Sequence, residues 1–83
     1  MSNGWLKCEI FKGMFSDEVA IRVAAKRGET SSYFVSKDQV EGPINGPGKV
    51  KVRVYRQGET SWAVLPTENA ASIPVRESDL VHA

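Results

Sequence analysis

Lys49-Val50-Lys51-Val52-Arg53-Val54 sets three valines against three cations at a period of two. An extended strand puts alternate residues on opposite faces, so this stretch reads as a half-buried β-strand with its valines inward. Glu18-Val19-Ala20-Ile21-Arg22-Val23 repeats the pattern more weakly, and Leu6, Cys8 and Ile10 alternate with Lys7 and Glu9 in a first strand. No apolar stripe runs at i, i+3, i+4 through the chain, so no long helix is expected. One short helical turn is expected near 67–71, starting at Thr67 with Glu68 in its first turn.

Just beyond the valine strand stands Gly58-Glu59-Thr60-Ser61, and the same four residues occur at Gly28-Glu29-Thr30-Ser31. Each copy follows a strand pattern and precedes an aromatic-containing run, Ser32-Tyr33-Phe34-Val35 or Trp62-Ala63-Val64-Leu65. Glycine closes tight hairpin loops because it has no Cβ to penalise a left-handed backbone. The two copies therefore read as two similar hairpins. A three-residue loop Arg56-Gln57-Gly58 would pair Val52 with Trp62 and turn Trp62 and Val64 inward. The longer first loop would pair Val23 with Thr30 and Val19 with Phe34. Further on, Val35-Ser36-Lys37-Asp38-Gln39-Val40 matches Val75-Arg76-Glu77-Ser78-Asp79-Leu80. The stretch from Glu41 to Gly48, with two prolines and three glycines, reads as a loop between halves, and 66–74 as a second irregular connection.

Eighty-three residues are expected to form one domain, 1–83. A chain this short buries only about 60–65% of its unfolded surface, so binding is expected on a face, an edge or an interface rather than in a deep cleft. Eleven Lys and Arg against ten Asp and Glu leave a formal charge of +1, which argues against coating nucleic acid by bulk charge but leaves room for a local basic patch. The single cysteine, Cys8, excludes an intrachain disulfide and reads as a small buried hydrophobe. The first residues are polar and no apolar run approaches a membrane span, so a cytoplasmic setting is expected, with no membrane partner.

Catalytic chemistry has little to draw on, and the chain is expected not to be an enzyme. The sole histidine, His82, is penultimate, where fraying is expected. One Cys and one His do not make a zinc site, and no Asp-x-Asp-x-Asp-Gly calcium loop occurs. Gly42 to Lys49 is glycine-rich, but a phosphate loop needs Gly-Lys-Ser/Thr at a helix start and Val50 opens a strand. No cofactor, metal or small-molecule substrate is expected. Two binding candidates remain. Lys49, Lys51 and Arg53 share the outward strand face at steps of about 6.6 Å; Arg22 matches Arg53 in the repeat and Tyr55 continues the face, a candidate nucleic-acid surface. Such a face is also what any solvated strand carries, with Glu18, Glu29 and Glu59 available to neutralise it. The second candidate is apolar. With Leu6, Cys8 and Ile10 inward, Trp5 and Phe11 point outward and Met14 and Phe15 follow, a candidate protein interface.

Five strands with tight hairpins in so short a chain favour a closed or nearly closed barrel, since closure removes exposed edges. The outline resembles an SH3-like barrel. Ile73-Pro74-Val75-Arg76-Glu77-Ser78-Asp79-Leu80-Val81 is similar to the closing segment of such barrels, where an aliphatic-Pro step leads through a tight turn into a short last strand. The chain lacks the Ala-Leu-Tyr-Asp-Tyr run and the tandem Trp of peptide-binding SH3 domains, so Pro-rich peptide binding is not implied. The leading expectation is a non-enzymatic assembly or protein-interaction module that forms a homo-oligomer. The alternatives are an Sm-like or related RNA- or DNA-binding barrel, and a small accessory or inhibitor protein of a mobile element.

Overall fold

In the computed structural model, which describes residues 1–82, the chain forms eight strands: β1 (Ser2–Lys12), β2 (Glu18–Ala24), β3 (Thr30–Ser36), β4 (Val40–Glu41), β5 (Gly46–Gln57), β6 (Thr60–Val64), β7 (Ser72–Val75) and β8 (Leu80–His82). Two 3-10 turns, Lys37–Gln39 and Glu77–Asp79, precede β4 and β8. The all-β expectation holds, with eight strands in place of five because two of the extras are very short. All pair antiparallel in one curled sheet, a half-barrel, in the order β3-β2-β1-β5-β6-β7, with β4 added to β5 and β8 to β1. No helix among the described residues is long and apolar enough to cross a membrane.

The valine strand is the middle of β5. It pairs with β1 from Ser2↔Val54 to Ile10↔Gly46, and alternate residues of both strands enter one core. Leu6, Ile10, Val50 and Val52 from this ladder meet Val19, Ile21 and Val23 of β2, Val35 of β3, and Ala63, Leu65, Val75 and Leu80 from the other side. Burying each of the larger side chains stabilises the fold by about 1.5–3 kcal/mol.

The pairing follows a pseudo-twofold axis through the facing pair Leu6↔Val50. Val40 of β4 lies against Val50, and Leu80 of β8 lies against Leu6. Ile10↔Ile21 is repeated as Val54↔Ala63, and Val19↔Val35 as Ser61↔Val75. Each half is thus a three-stranded meander, a 3-10 turn and a short strand, and the short strand of each half completes the long strand of the other. The sequence match of 35–40 with 75–80 is this structural repeat. The two Gly-Glu-Thr-Ser copies are not: both end hairpin turns with glycine at positive φ, but the turn at Gly58 takes the place of the β1–β2 turn in the symmetry.

Register corrects several expectations. The second hairpin turns on Gly58 and Glu59 alone, with Gln57 opposite Thr60. Gly58 has φ 62° at the first central position, where a type II′ turn takes glycine. The pairing shifts by an odd number of residues, so Trp62 and Val64 point outward and Ser61, Ala63 and Leu65 are buried. The first hairpin loop spans Ala25 to Glu29, closed by the Ala25 amide donating to Glu29 O at 2.8 Å. That places Val35, not Phe34, opposite Val19, and leaves Phe34 52% exposed.

The glycine-rich linker is also shorter than its composition implies. Gly46, Pro47 and Gly48 belong to β5 and face Ile10, Glu9 and Cys8. Gly48 is the crossing point of three strands: a Cβ there would lie 2.5 Å from Glu41 O and collide with the Ile10 Cδ1. The helical turn near 67–71 is a single reverse turn. Ala70 N–H donates to Thr67 O at 3.0 Å, and the Thr67 hydroxyl accepts the Ala71 amide that a helix would have sent to the Thr67 carbonyl. His82 is held in β8 opposite Gly4 rather than frayed.

Candidate functional site

The outer face of the sheet collects both sequence-derived candidates on one surface. The odd-numbered residues of β1 and β5 point away from the core, and the antiparallel register interleaves them. Trp5 lies opposite Lys51 on one side and Val81 on the other; Lys7 lies opposite Lys49, which lies opposite Glu41; Asn3 lies opposite Arg53. Arg22 joins through its pair with Glu9. Arg22, Lys49, Lys51, Arg53 and Tyr55 therefore form one continuous field, as the strand alternation implied.

Trp5 sits inside that field rather than at an apolar edge. Its ring lies beneath Lys49 Nζ, 4.8 Å from the centroid, and Lys51 Nζ, at 5.9 Å. Arg22 lies 5.2 Å above the Phe11 ring. Such cation–π contacts hold the long side chains over flat aromatic surface. Met14 and Phe15 are elsewhere, exposed on the β1–β2 turn.

Glu9 and Glu41 pair with cations of the field, and Asp38 lies near enough to Lys51 to feel its charge, whereas Glu18, Glu29 and Glu59 make no ion pair there among the described residues. Glu9 Oε1 accepts from Arg22 at 2.9 and 2.7 Å, and Glu41 lies 3.7 Å from Lys49 Nζ. Among the described residues Lys7, Lys51 and Arg53 have no ion-pair partner. With the whole chain at +1, this face carries more than its share of the positive charge.

An aromatic platform closes one end. Tyr55 and Trp62 face each other across β5 and β6 with ring centroids 6.2 Å apart and planes within 6°. Trp62 continues to Pro74 of β7 and lines a half-open groove of about 630 Å³ with Lys26, Arg27, Glu29 and Thr60. The groove is fixed by bonds between the β2–β3 loop and β7: the Lys26 amide donates to Pro74 O at 2.8 Å and Arg76 Nε to Lys26 O at 3.0 Å. Sequence reasoning missed Lys7, Trp62, Lys26 and Arg27. Lys7 was readable from its alternation with Leu6 and Cys8; the others depend on a hairpin register and a long-range loop contact.

Below the platform, Glu77 receives the Ser61 hydroxyl and the Arg56 guanidinium, the latter at 2.6 Å, with His82 Nε2 3.9 Å away. The Ser61 hydrogen bond first, and then Arg56, hold the Glu77 carboxyl below its ordinary value. The cluster is structural: it satisfies Ser61, which is buried on β6. Burial, reinforced by the Glu9 charge, pushes the Cys8 thiol up to about 11, which makes it a poor nucleophile. Among the described residues no group of three or more His, Cys, Asp or Glu is placed to hold a metal ion.

Comparison with protein-family models, curated proteins and solved structures finds no match to this chain.

Proposed function

We propose that this chain is a small SH3-like barrel protein that binds single-stranded nucleic acid across its outer sheet face. The observation that carries the reading is the alternation of Lys7, Lys51 and Arg53, free of ion pairs among the described residues, with Trp5, Tyr55 and Trp62 on one surface. Proteins that bind single strands combine a positive track for the backbone with aromatic rings on which bases stack. Here the cations follow β1 and β5, the Tyr55–Trp62 stack offers a platform at the end of the track, and the groove beside it adds Lys26 and Arg27. The SH3-like assignment is supported by the passage from Ile73-Pro74-Val75 through a 3-10 turn into the short β8. The assembly reading built on Trp5, Phe11, Met14 and Phe15 has less support, because the Trp5 and Phe11 rings lie under cations.

Fluorescence anisotropy with labelled single-stranded RNA and DNA at two salt concentrations tests the proposal. Three or four phosphate contacts give a log–log salt slope of about −2 to −3, so affinity falls about tenfold or more between 50 and 200 mM salt. Lys51→Glu and Arg53→Glu each weaken binding and flatten the slope by about one unit. Tyr55→Ala removes about 1–3 kcal/mol without changing the slope. Absence of binding at low salt, or binding indifferent to both charge reversals, defeats the proposal.

A further inference from the structure

The two lateral edges of the sheet are built differently. On one side β7 has four residues, includes Pro74, and is braced by the Lys26 loop. On the other, β3 runs seven residues from Thr30 to Ser36 without a charge or a proline, and among the described residues it pairs with β2 alone. A long uncharged edge with its outward N–H and C=O groups unpaired is a template for another strand, and proteins normally blunt such edges. Its outer side carries one large apolar group, Phe34, 52% exposed among Thr30, Ser32 and Ser36.

We propose that β3 is a homodimer edge, pairing antiparallel with β3 of a second copy about a twofold axis at Tyr33. The register follows from the backbone and the charges. Residues whose amide and carbonyl point to the open edge alternate along β3, so a symmetric antiparallel pair must join residues of like parity. Centring on Tyr33 sets Ser31 opposite Val35, Ser32 opposite Phe34, and brings Glu29 of each copy alongside Lys37 of the other. Neither Glu29 nor Lys37 makes an ion pair within the chain among the described residues. The register thus gives each an opposite charge at both ends of the ladder. It also brings the two Phe34 side chains into diagonal contact on the outer face, within reach for aromatic rings.

Sedimentation velocity over a concentration series tests the pairing, with circular dichroism to confirm that each variant is folded. The wild-type mass is expected to rise toward twice the monomer value. Phe34→Lys places two like charges across the axis and returns the protein to monomer. Glu29→Lys raises the dissociation constant about tenfold, since two end pairs become repulsive, and adding Lys37→Glu to it restores dimerisation to within about threefold of wild type. A wild-type protein that remains monomeric up to about millimolar concentration overturns the proposal, because an interface that weak is not a stable dimer. So does a dimer that persists in Phe34→Lys, or a charge-swapped double variant no tighter than Glu29→Lys alone.

Discussion

At the scale of single residues, glycine and glutamate carry the sharpest tests. Gly48 lies where β1 and β4 close on β5, and a methyl group there meets Glu41 O and the Ile10 side chain. Gly58 has open space around it and only its φ of 62° to satisfy. Urea denaturation should therefore separate the two. Gly48→Ala is expected to cost about 3 kcal/mol or to prevent folding, as overpacking against backbone does. Gly58→Ala is expected to cost about 1–2 kcal/mol, the penalty of a left-handed residue with a Cβ. For Glu77 the sign is set by its lowered folded-state value. A carboxylate with a depressed pKa adds stability that is fully present above its unfolded value, and this is lost as pH falls through the folded one. Stability is accordingly expected to decline as pH drops below about 4.5, and the decline should be shallower in Glu77→Gln when melting temperature is followed from neutral to acid pH. The glycine-rich composition of 42–48 was legible in the sequence, but its meaning was not. Composition marks a flexible stretch, whereas the requirement at Gly48 comes from Glu41 and Ile10, which only the fold brings near.

At the scale of elements, the two short strands do more than their length implies. Leu80 of β8 is 8% exposed and covers Leu6, while Val40 of β4 is only half-buried against Val50. Leu80→Ala is expected to cost about 2–4 kcal/mol in a denaturant titration, and Val40→Ala distinctly less, since the transfer and cavity penalties scale with the volume lost from a closed site. Reversed order of the two would place the tighter seal at β4. Strands with cations on one face, β5 and much of β1, were readable because a charged side chain has to point to water. β3 and β6 were not. Ser31-Ser32-Tyr33-Phe34-Val35 and Trp62-Ala63-Val64-Leu65 offer acceptable residues to either face, so turn length alone decides, and an error of one or three residues inverts every side chain. The basic field was therefore visible before the structure, but the Trp62 platform beside it was not. The inward choice of Ala63 over Trp62 is decided by neighbours, because Tyr55 and Pro74 receive the indole outside and Glu77 satisfies the hydroxyl of Ser61 inside.

At the scale of the whole molecule, the pseudo-twofold interleaves the halves instead of setting them side by side. The β1–β5 ladder is the shared wall, β4 belongs to the second half's strand and β8 to the first half's. Neither half keeps a complete sheet without the other, so thermal or urea unfolding is expected to follow one transition, with circular dichroism and tryptophan fluorescence superimposable. Trp5 reports from the central wall and Trp62 from the second meander, so separated midpoints would show that the halves melt independently. The exchange of short strands also governs the order of events in time. Gly4 finds its neighbours at Val52 and at His82, and Val40 waits for Val50. A ribosome that has released β1 through β4 has released a three-stranded meander in which β1 still lacks β5 and β8, and β4 still lacks β5. The nascent chain has no native half to settle into, its slow step is the closure of distant segments, and refolding belongs with the millisecond-to-second class of non-local β topologies.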